Sequence, residues 1–225
     1  MRKLSVKKLV DFRRKSARGK KTFVENIKST KIETPTEGGG DYWISSISAI
    51  ANSFKEDDLR FIDSKIEDLY GRIGDTSRSI TKNMYRKNVT ILEQYKKIDQ
   101  KTLRPGVKLS FLKQTGIDSV LAVKGIEVQV KPTHVYTFKT KTEQNAGAVW
   151  FLAKIGGYRI EEVGMFCEML HRFLIHNYSK SYKIDARYCI VVEALTGNWV
   201  SYANLIDGSV PRVLNSTLSE ISKMM

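Results

Sequence analysis

The sequence is poor in cysteine and histidine, and each shortage excludes a class of protein. Only two of the 225 residues are cysteines, Cys167 and Cys189, and both stand among apolar neighbours. Two such residues cannot build a disulfide framework or a zinc site, so we expect two reduced core thiols in a cytoplasmic protein. The three histidines, His134, His171 and His176, lack the spacing of metal ligands. We interpret His171 as a core residue and expect no metal site built on histidine.

Long hydrophobic runs are also missing. No apolar stretch reaches the roughly 18 to 20 residues that a transmembrane helix needs, and no apolar signal core follows the charged N-terminus. We therefore expect neither a membrane span nor secretion. The hydrophobic fraction of 41% is close to the globular average and predicts a folded chain.

Acidic residues are scarce in the first 31 residues. This segment holds twelve Lys and Arg against two acidic residues, and it carries ten of the fourteen net positive charges of the chain. Apolar positions at helical spacing predict two short helices here, with a break near Arg18 and Gly19. Residues 34–40 combine one proline with three glycines, which is typical of a flexible linker. The pattern predicts a basic helical arm, residues 1–33, tethered to the rest of the chain.

The next part of the chain has helical periodicity. Apolar residues recur at helical spacing and predict a helical subdomain over residues 41–98, with three helices and with Asp41 as the first N-cap. The pattern changes at about residue 99, where strands begin to alternate with helices. We expect residues 99–225 to form one mixed α/β domain.

Three features of this last region define the expected sheet. Two short apolar runs flank Lys124 and Gly125, the spacing of a hairpin. The continuous apolar run 148–153 predicts a central strand that is buried on both faces. Residues 160–178 predict a long helix. The fold class is therefore α/β, with α+β as the alternative: a basic helical arm, a helical segment, then a mixed sheet flanked by helices.

The segregated charge predicts a surface that binds a polyanion. Nucleic acid is the expected partner, with DNA favoured over RNA, and contact with about six to eight phosphates would give a log–log salt slope of about −5 to −7. An acidic protein partner or an anionic membrane surface is the alternative. The candidate contact residues are Lys3, Lys7, Lys8, Arg13, Arg14, Lys15, Arg18, Lys20 and Lys21.

A second set of candidates lies around the predicted central strand. Lys154 ends that strand in the sequence Leu152-Ala153-Lys154, and a helix, a strand meander, a helix and a strand follow one another between residues 77 and 202. This order and the lysine resemble the restriction-endonuclease-like, or PD-(D/E)xK, nuclease fold. In that family, carboxylates on two neighbouring strands hold a magnesium ion that activates water. The resemblance implies a magnesium-dependent nuclease as an alternative function, with Lys154 as a catalytic residue.

The sequence departs from the family motif at its acidic positions. Leu152 stands where the family has an acid, and Thr133 and His134 follow Pro132 in place of an aspartate. Some members of such folds move the missing acid to the following helix.

Glu161 and Glu168 are the candidates for that role in this chain. An ion pair between Glu168 and Arg172 on a solvated face is the alternative interpretation of the second of them. No reaction follows from the sequence, and no cofactor is expected unless the nuclease alternative holds. By analogy, an accessory factor in prokaryotic or phage nucleic-acid metabolism or antiviral defence is the expected setting.

Overall fold

A computed structural model describes residues 3–29, 42–141 and 143–225. The predicted linker, residues 34–40, and the predicted N-cap Asp41 lie outside the described residues. The helices are α1 (Val6–Arg13), α2 (Ala17–Lys28), α3 (Ile44–Glu56), α4 (Arg60–Asp75), α5 (Ser79–Lys96), α6 (Gln100–Leu103), α7 (Ile160–Tyr178), α8 (Tyr202–Ile206) and α9 (Leu214–Met224). The strands are β1 (Leu4–Ser5), β2 (Ser110–Phe111), β3 (Val120–Val123), β4 (Ile126–Gln129), β5 (His134–Lys139), β6 (Gln144–Leu152), β7 (Lys183–Glu193) and β8 (Asn198–Ser201).

The main sheet is mixed, and the fold class is α/β as predicted. Its strands lie in the order β2-β5-β6-β7-β8. The neighbours β6 and β7 are parallel, with α7 as the crossover between them, and the other neighbouring pairs are antiparallel. Strand β6 is central and is buried along its length except at Gln144 and Trp150, so the prediction of a central buried strand is confirmed. The described residues contain no helix long and apolar enough to span a membrane.

The predicted hairpin forms a second, smaller sheet. Strands β3 and β4 pair antiparallel, and the turn residues Lys124 and Gly125 have φ angles of 50° and 76°. Two successive residues with positive φ are what a two-residue hairpin turn needs to match the twist of its strands. Strand β1 extends this sheet by pairing parallel to β4, with Leu4 opposite Val128.

Helices cover both faces of the main sheet because its strands alternate apolar side chains between the two faces. Ala148 of β6 and Val191 of β7 face one core, which also contains buried residues of α1, α2, α7, α9 and the hairpin. Val149 and Val192 face the other core, which is built with α3, α4 and α5. The chain segments predicted as a helical subdomain and an α/β domain thus share one core. The predicted boundaries at residues 33, 40 and 98 stay predictions.

The packing corrects the expectation of a tethered basic arm. Seven apolar side chains of the first 29 residues are at most 5% exposed, and all belong to the core shared with α7 and the sheet. Burial of this much apolar surface, together with the pairing of β1, attaches the segment to the body of the protein. The seven are Leu4, Val6, Leu9, Val10, Phe12, Val24 and Ile27.

The break between the two N-terminal helices also differs from its predicted position. It lies at residues 14–16, and Gly19 is inside the first turn of α2. The hydroxyl of Ser16 accepts a hydrogen bond from the amide N–H of Gly19 at 3.3 Å. A serine N-cap of this kind satisfies an otherwise unpaired donor of the first turn and so decides where the helix starts.

Candidate functional site

Six of the nine predicted contact residues are exposed cations, and the five of them other than Arg14 form what we call the basic surface. They belong to α1, α2 and the residues beside them, whose other faces are buried in the core. None of the five forms an ion pair with another residue in the described part of the chain. The basic surface consists of Lys3, Lys7, Lys15, Arg18 and Lys21. A further predicted contact residue, Lys8, is half-buried in a groove between α1 and α2.

The other three predicted contact residues, Arg13, Arg14 and Lys20, bind partners within the protein. Arg14 Nε donates to Glu162 Oε1 at 2.6 Å, and its Nη2 donates to the second oxygen of that carboxylate and to the carbonyl of Gly157 at 3.1 Å. Lys20 Nζ lies 2.7 Å from an oxygen of Glu220. Arg13 Nη1 donates to the hydroxyl of Thr217 at 3.1 Å.

The ion pair of Arg14 with Glu162 is the most strongly buried of these contacts. The Glu162 side chain is only 3% exposed, and burial alone raises the pKa of a carboxyl group. Here the hydrogen bonds from the Arg14 side chain and from the backbone N–H of Arg159 outweigh burial, and the pKa of Glu162 is lowered. The same carboxylate raises the pKa of Arg14. A bidentate contact of this kind fixes α1 against the first turn of α7.

Lys154 lies at the carboxyl end of β6, but in the described part of the chain its ammonium group is not surrounded by a cluster of carboxylates. It donates to Asp11 Oδ1 of α1 at 2.6 Å and lies 5.4 Å from the centre of the Tyr158 ring. Neither Glu161 nor Glu168 forms a hydrogen bond or ion pair with Lys154. Lys154 therefore connects the end of the central strand to α1 in this structure.

The two glutamates predicted to replace the missing acid lie apart from Lys154. Glu168 accepts from Arg172 Nη2 at 2.8 Å, which confirms the ion-pair interpretation. The face is not solvated as that interpretation had it, because Glu168 is only 3% exposed and Arg172 also donates to Asn215 of α9. Glu161 lines a polar cavity of about 590 Å³ together with Arg14 and other charged residues of α7 and α1.

The side chains around Lys154 do not fit a magnesium site. Such a site needs several oxygen ligands, with at least one or two carboxylates directed at the ion. Among the residues that the structure describes, Lys154 contacts a single carboxylate, that of Asp11, which already accepts a hydrogen bond from its ammonium group. Across residues 3–29, 42–141 and 143–225, no group of three or more His, Cys, Asp or Glu side chains is arranged to hold a metal ion.

Two of the three histidines serve in packing, whereas His176 is exposed and its Nε2 lies 3.4 Å from Asp118 Oδ2. His134 Nε2 lies 2.9 Å from the carbonyl oxygen of Ala51, which joins β5 to α3. The His171 ring stacks on Tyr202 with a centroid distance of 3.6 Å. Burial, with added repulsion from nearby arginines, lowers the pKa of His171 to about 4. His171 is half-buried beside the core, so its interpretation as a core residue holds only in part.

One cavity beside the basic surface was not predicted. It has a volume of about 280 Å³ and lies between the start of α1, the end of β4 and the carboxyl end of β6. Lys7 lines it, together with Gln129, Lys131 and Trp150. The alternation of side chains along β4 could have indicated part of the cavity lining, because it places residues 127, 129 and 131 on one side of the hairpin. The sequence did not indicate that this side meets α1.

Neither a protein-family model, nor a curated protein, nor a solved structure matches this chain.

Proposed function

We propose that the protein binds nucleic acid, DNA in preference to RNA, through the basic surface. The observation that supports the proposal is the set of five exposed cations that have no ionic partner in the described part of the chain. Lys7, Arg18 and Lys21 lie on helices whose opposite faces are buried, and Lys3 and Lys15 flank those helices. Lysine and arginine side chains placed in this way bind phosphates and release the counterions that surround them.

A fixed basic surface differs physically from a tethered arm. An arm loses chain entropy when it docks, whereas side chains on a packed helix lose only their own rotamer freedom. The surface also offers fewer cations than the segment holds, because Arg13, Arg14 and Lys20 already contact residues of α7 and α9. Five phosphate contacts give a log–log salt slope of about −4.5 for duplex DNA and about −3.5 for single-stranded DNA.

The experiment compares two triple variants that change the net charge equally. Lys7→Ala, Arg18→Ala and Lys21→Ala remove three cations of the basic surface. Lys87→Ala, Lys101→Ala and Lys139→Ala remove three exposed lysines elsewhere and serve as the control. Fluorescence anisotropy with labelled duplex and single-stranded DNA across a salt series measures the affinity and its salt slope.

The first triple variant is expected to flatten the slope by about 3 for duplex DNA and about 2 for single strands, and the control to leave it nearly unchanged. Equal losses of DNA affinity in the two triple variants would mean that only the net charge of the protein matters, which would contradict the proposed surface. Wild-type binding without salt dependence, or binding to an acidic protein but to no nucleic acid, would also contradict it.

The nuclease alternative has its own test, although the donors around Lys154 do not support it. Plasmid and oligonucleotide substrates are incubated with magnesium or manganese, and the products are separated by electrophoresis. We expect no cleavage. If the substrates are cleaved, and if cleavage is lost in Lys154→Ala but retained in the Lys87→Ala control, the protein is a nuclease and the binding proposal is wrong.

A further inference from the structure

The small cavity next to Lys7 has an aromatic wall. Trp150 is the one residue in the interior of β6 that is not fully buried, and its side chain lines this cavity. Phe166 of α7 packs edge-on against Trp150 at 5.2 Å between ring centres, and Tyr158 packs edge-on against Phe166 at the same distance. The wall is thus held by the core behind it, and the indole presents an apolar surface to the cavity.

The lining of the cavity also includes polar and positively charged side chains. Gln129 is one of them; it is half-exposed, and its carboxamide makes no hydrogen bond within the described ranges of the chain. Lys7 and Lys131 also line the cavity, are exposed, and have no ionic partner among the described residues. An unpaired carboxamide offers two donors and one acceptor to a ligand, and the two ammonium groups attract anions.

The size of the cavity limits what it accommodates. At about 280 Å³ it lies at the lower limit of about 300 Å³ for small-molecule pockets. That space suits one planar ring system rather than a segment of peptide or a second helix. A ligand that fits this lining has a planar ring for the apolar wall and hydrogen-bonding groups at the ring edge for the carboxamide. It also has a phosphate on each side of the ring for the two lysines.

We infer that this cavity accepts one unpaired nucleobase of a single-stranded nucleic acid, with Lys7 and Lys131 contacting the flanking phosphates. The inference rests on the proposed function and specifies the substrate class of the same surface, because Lys7 belongs to both. The base packs on Trp150, since aromatic side chains bind any base through its π-face. Gln129 pairs with a base edge that a duplex would keep engaged with the complementary strand.

The experiment uses the intrinsic fluorescence of Trp150 in the full chain. Trp43→Phe and Trp199→Phe leave Trp150 as the remaining indole of the three tryptophans. The probes are oligothymidylate, an abasic oligodeoxyribose phosphate of the same length, and a duplex of that length. We expect oligothymidylate to quench Trp150 and to bind about tenfold to a hundredfold tighter than the abasic strand. The duplex is expected to quench less than the single strand.

A surface variant keeps the test independent of folding, since Trp150→Ala removes a side chain that packs on the core. Gln129→Ala is expected to reduce the preference for oligothymidylate over the abasic strand. Glu127→Ala, an exposed residue on the same side of β4, is the matched control and is expected to keep that preference.

The outcomes separate this inference from the proposed function. Equal binding of oligothymidylate and the abasic strand, with Trp150 unquenched and a normal salt slope, overturns the base site and leaves the basic surface in place. Quenching by the duplex as strong as by the single strand overturns the assignment to single strands. Absence of binding to every probe overturns both proposals.

Discussion

The two helical segments of the chain, residues 1–31 and residues 42–97, differ in how far apart in the sequence their ion-pair partners lie. Residues 1–31 hold twelve basic and two acidic residues, whereas residues 42–97 hold ten basic and eight acidic residues. In the second segment the ion pairs are mostly local, such as Arg72 with Asp68 four residues away. In the first segment, Arg14 and Lys20 pair with residues 148 and 200 positions away in the chain.

This difference explains how one segment serves both the fold and the proposed function. A segment with almost no acids of its own cannot neutralise its cations locally. Some of them therefore reach carboxylates on the body of the protein, such as Glu162 and Glu220, and help to fix the segment there. The five cations of the basic surface stay exposed, with no ionic partner in the described part of the chain. In the second segment, carboxylates such as Asp58 and Asp68 pair with neighbouring cations, which leaves less net charge for a partner.

The largest expected effect tests whether the first segment belongs to the core. Phe12→Ala removes a fully buried ring of α1 and is expected to lower the free energy of unfolding by about 3–5 kcal/mol. Phe61→Ala in α4 is the matched control, since Phe61 is 41% exposed, and it is expected to lower the free energy of unfolding by less than about 1 kcal/mol. Chemical denaturation measures both values. Similar losses for the two variants would mean that α1 is not packed as described.

A smaller effect is expected from the ion pairs that distinguish the two segments. Glu162→Gln removes the buried carboxylate that holds Arg14, and we expect a loss of about 1–3 kcal/mol, because the guanidinium is partly solvated. Asp63→Asn breaks an exposed pair with Lys96 and is expected to cost less than about 1 kcal/mol. Urea unfolding at neutral pH compares the two.

The pH dependence gives a further check on the same variant. The pKa of Glu162 in the folded protein is below its ordinary value of 4.5, so its contribution is present above that value and is lost as the pH falls through the folded pKa. Glu162→Gln should therefore approach the wild type in stability at acid pH. A stability difference that stays constant from neutral to acid pH would contradict this assignment.

The elements with strong local signals were predictable from the sequence. The predicted helix 160–178 matches α7, and the hairpin around Lys124 and Gly125 forms as expected. Strand β1 was not predictable, because two residues show no periodicity and their pairing with β4 is long-range. The docking of α1 was missed for the same reason. The basic residues of α1 suggested an exposed helix, whereas its apolar residues pack against elements that are distant in the sequence, such as α7 and α9.

The candidate site was predictable in composition but not in geometry. The basic residues were identified by their clustering in the sequence, yet which of them are exposed depends on distant carboxylates such as Glu162 and Glu220. Trp150 was predicted as part of a central strand, and nothing in its neighbours indicates a partly open cavity. Gln129 and Lys131 belong to a hairpin whose position beside α1 follows from the pairing of β1 with β4.

Hydrogen exchange of the free protein tests most directly whether the basic segment is part of the folded body. The packing of α1 predicts that the amides of residues 10–13 exchange only through global unfolding, with the same free energy as the central amides of α7. Adding DNA should leave that ordering unchanged. Exchange of the α1 amides at the rates of an unfolded peptide, while α7 stays protected, would contradict the packing of α1. The segment would then be a tethered arm, as the sequence had predicted.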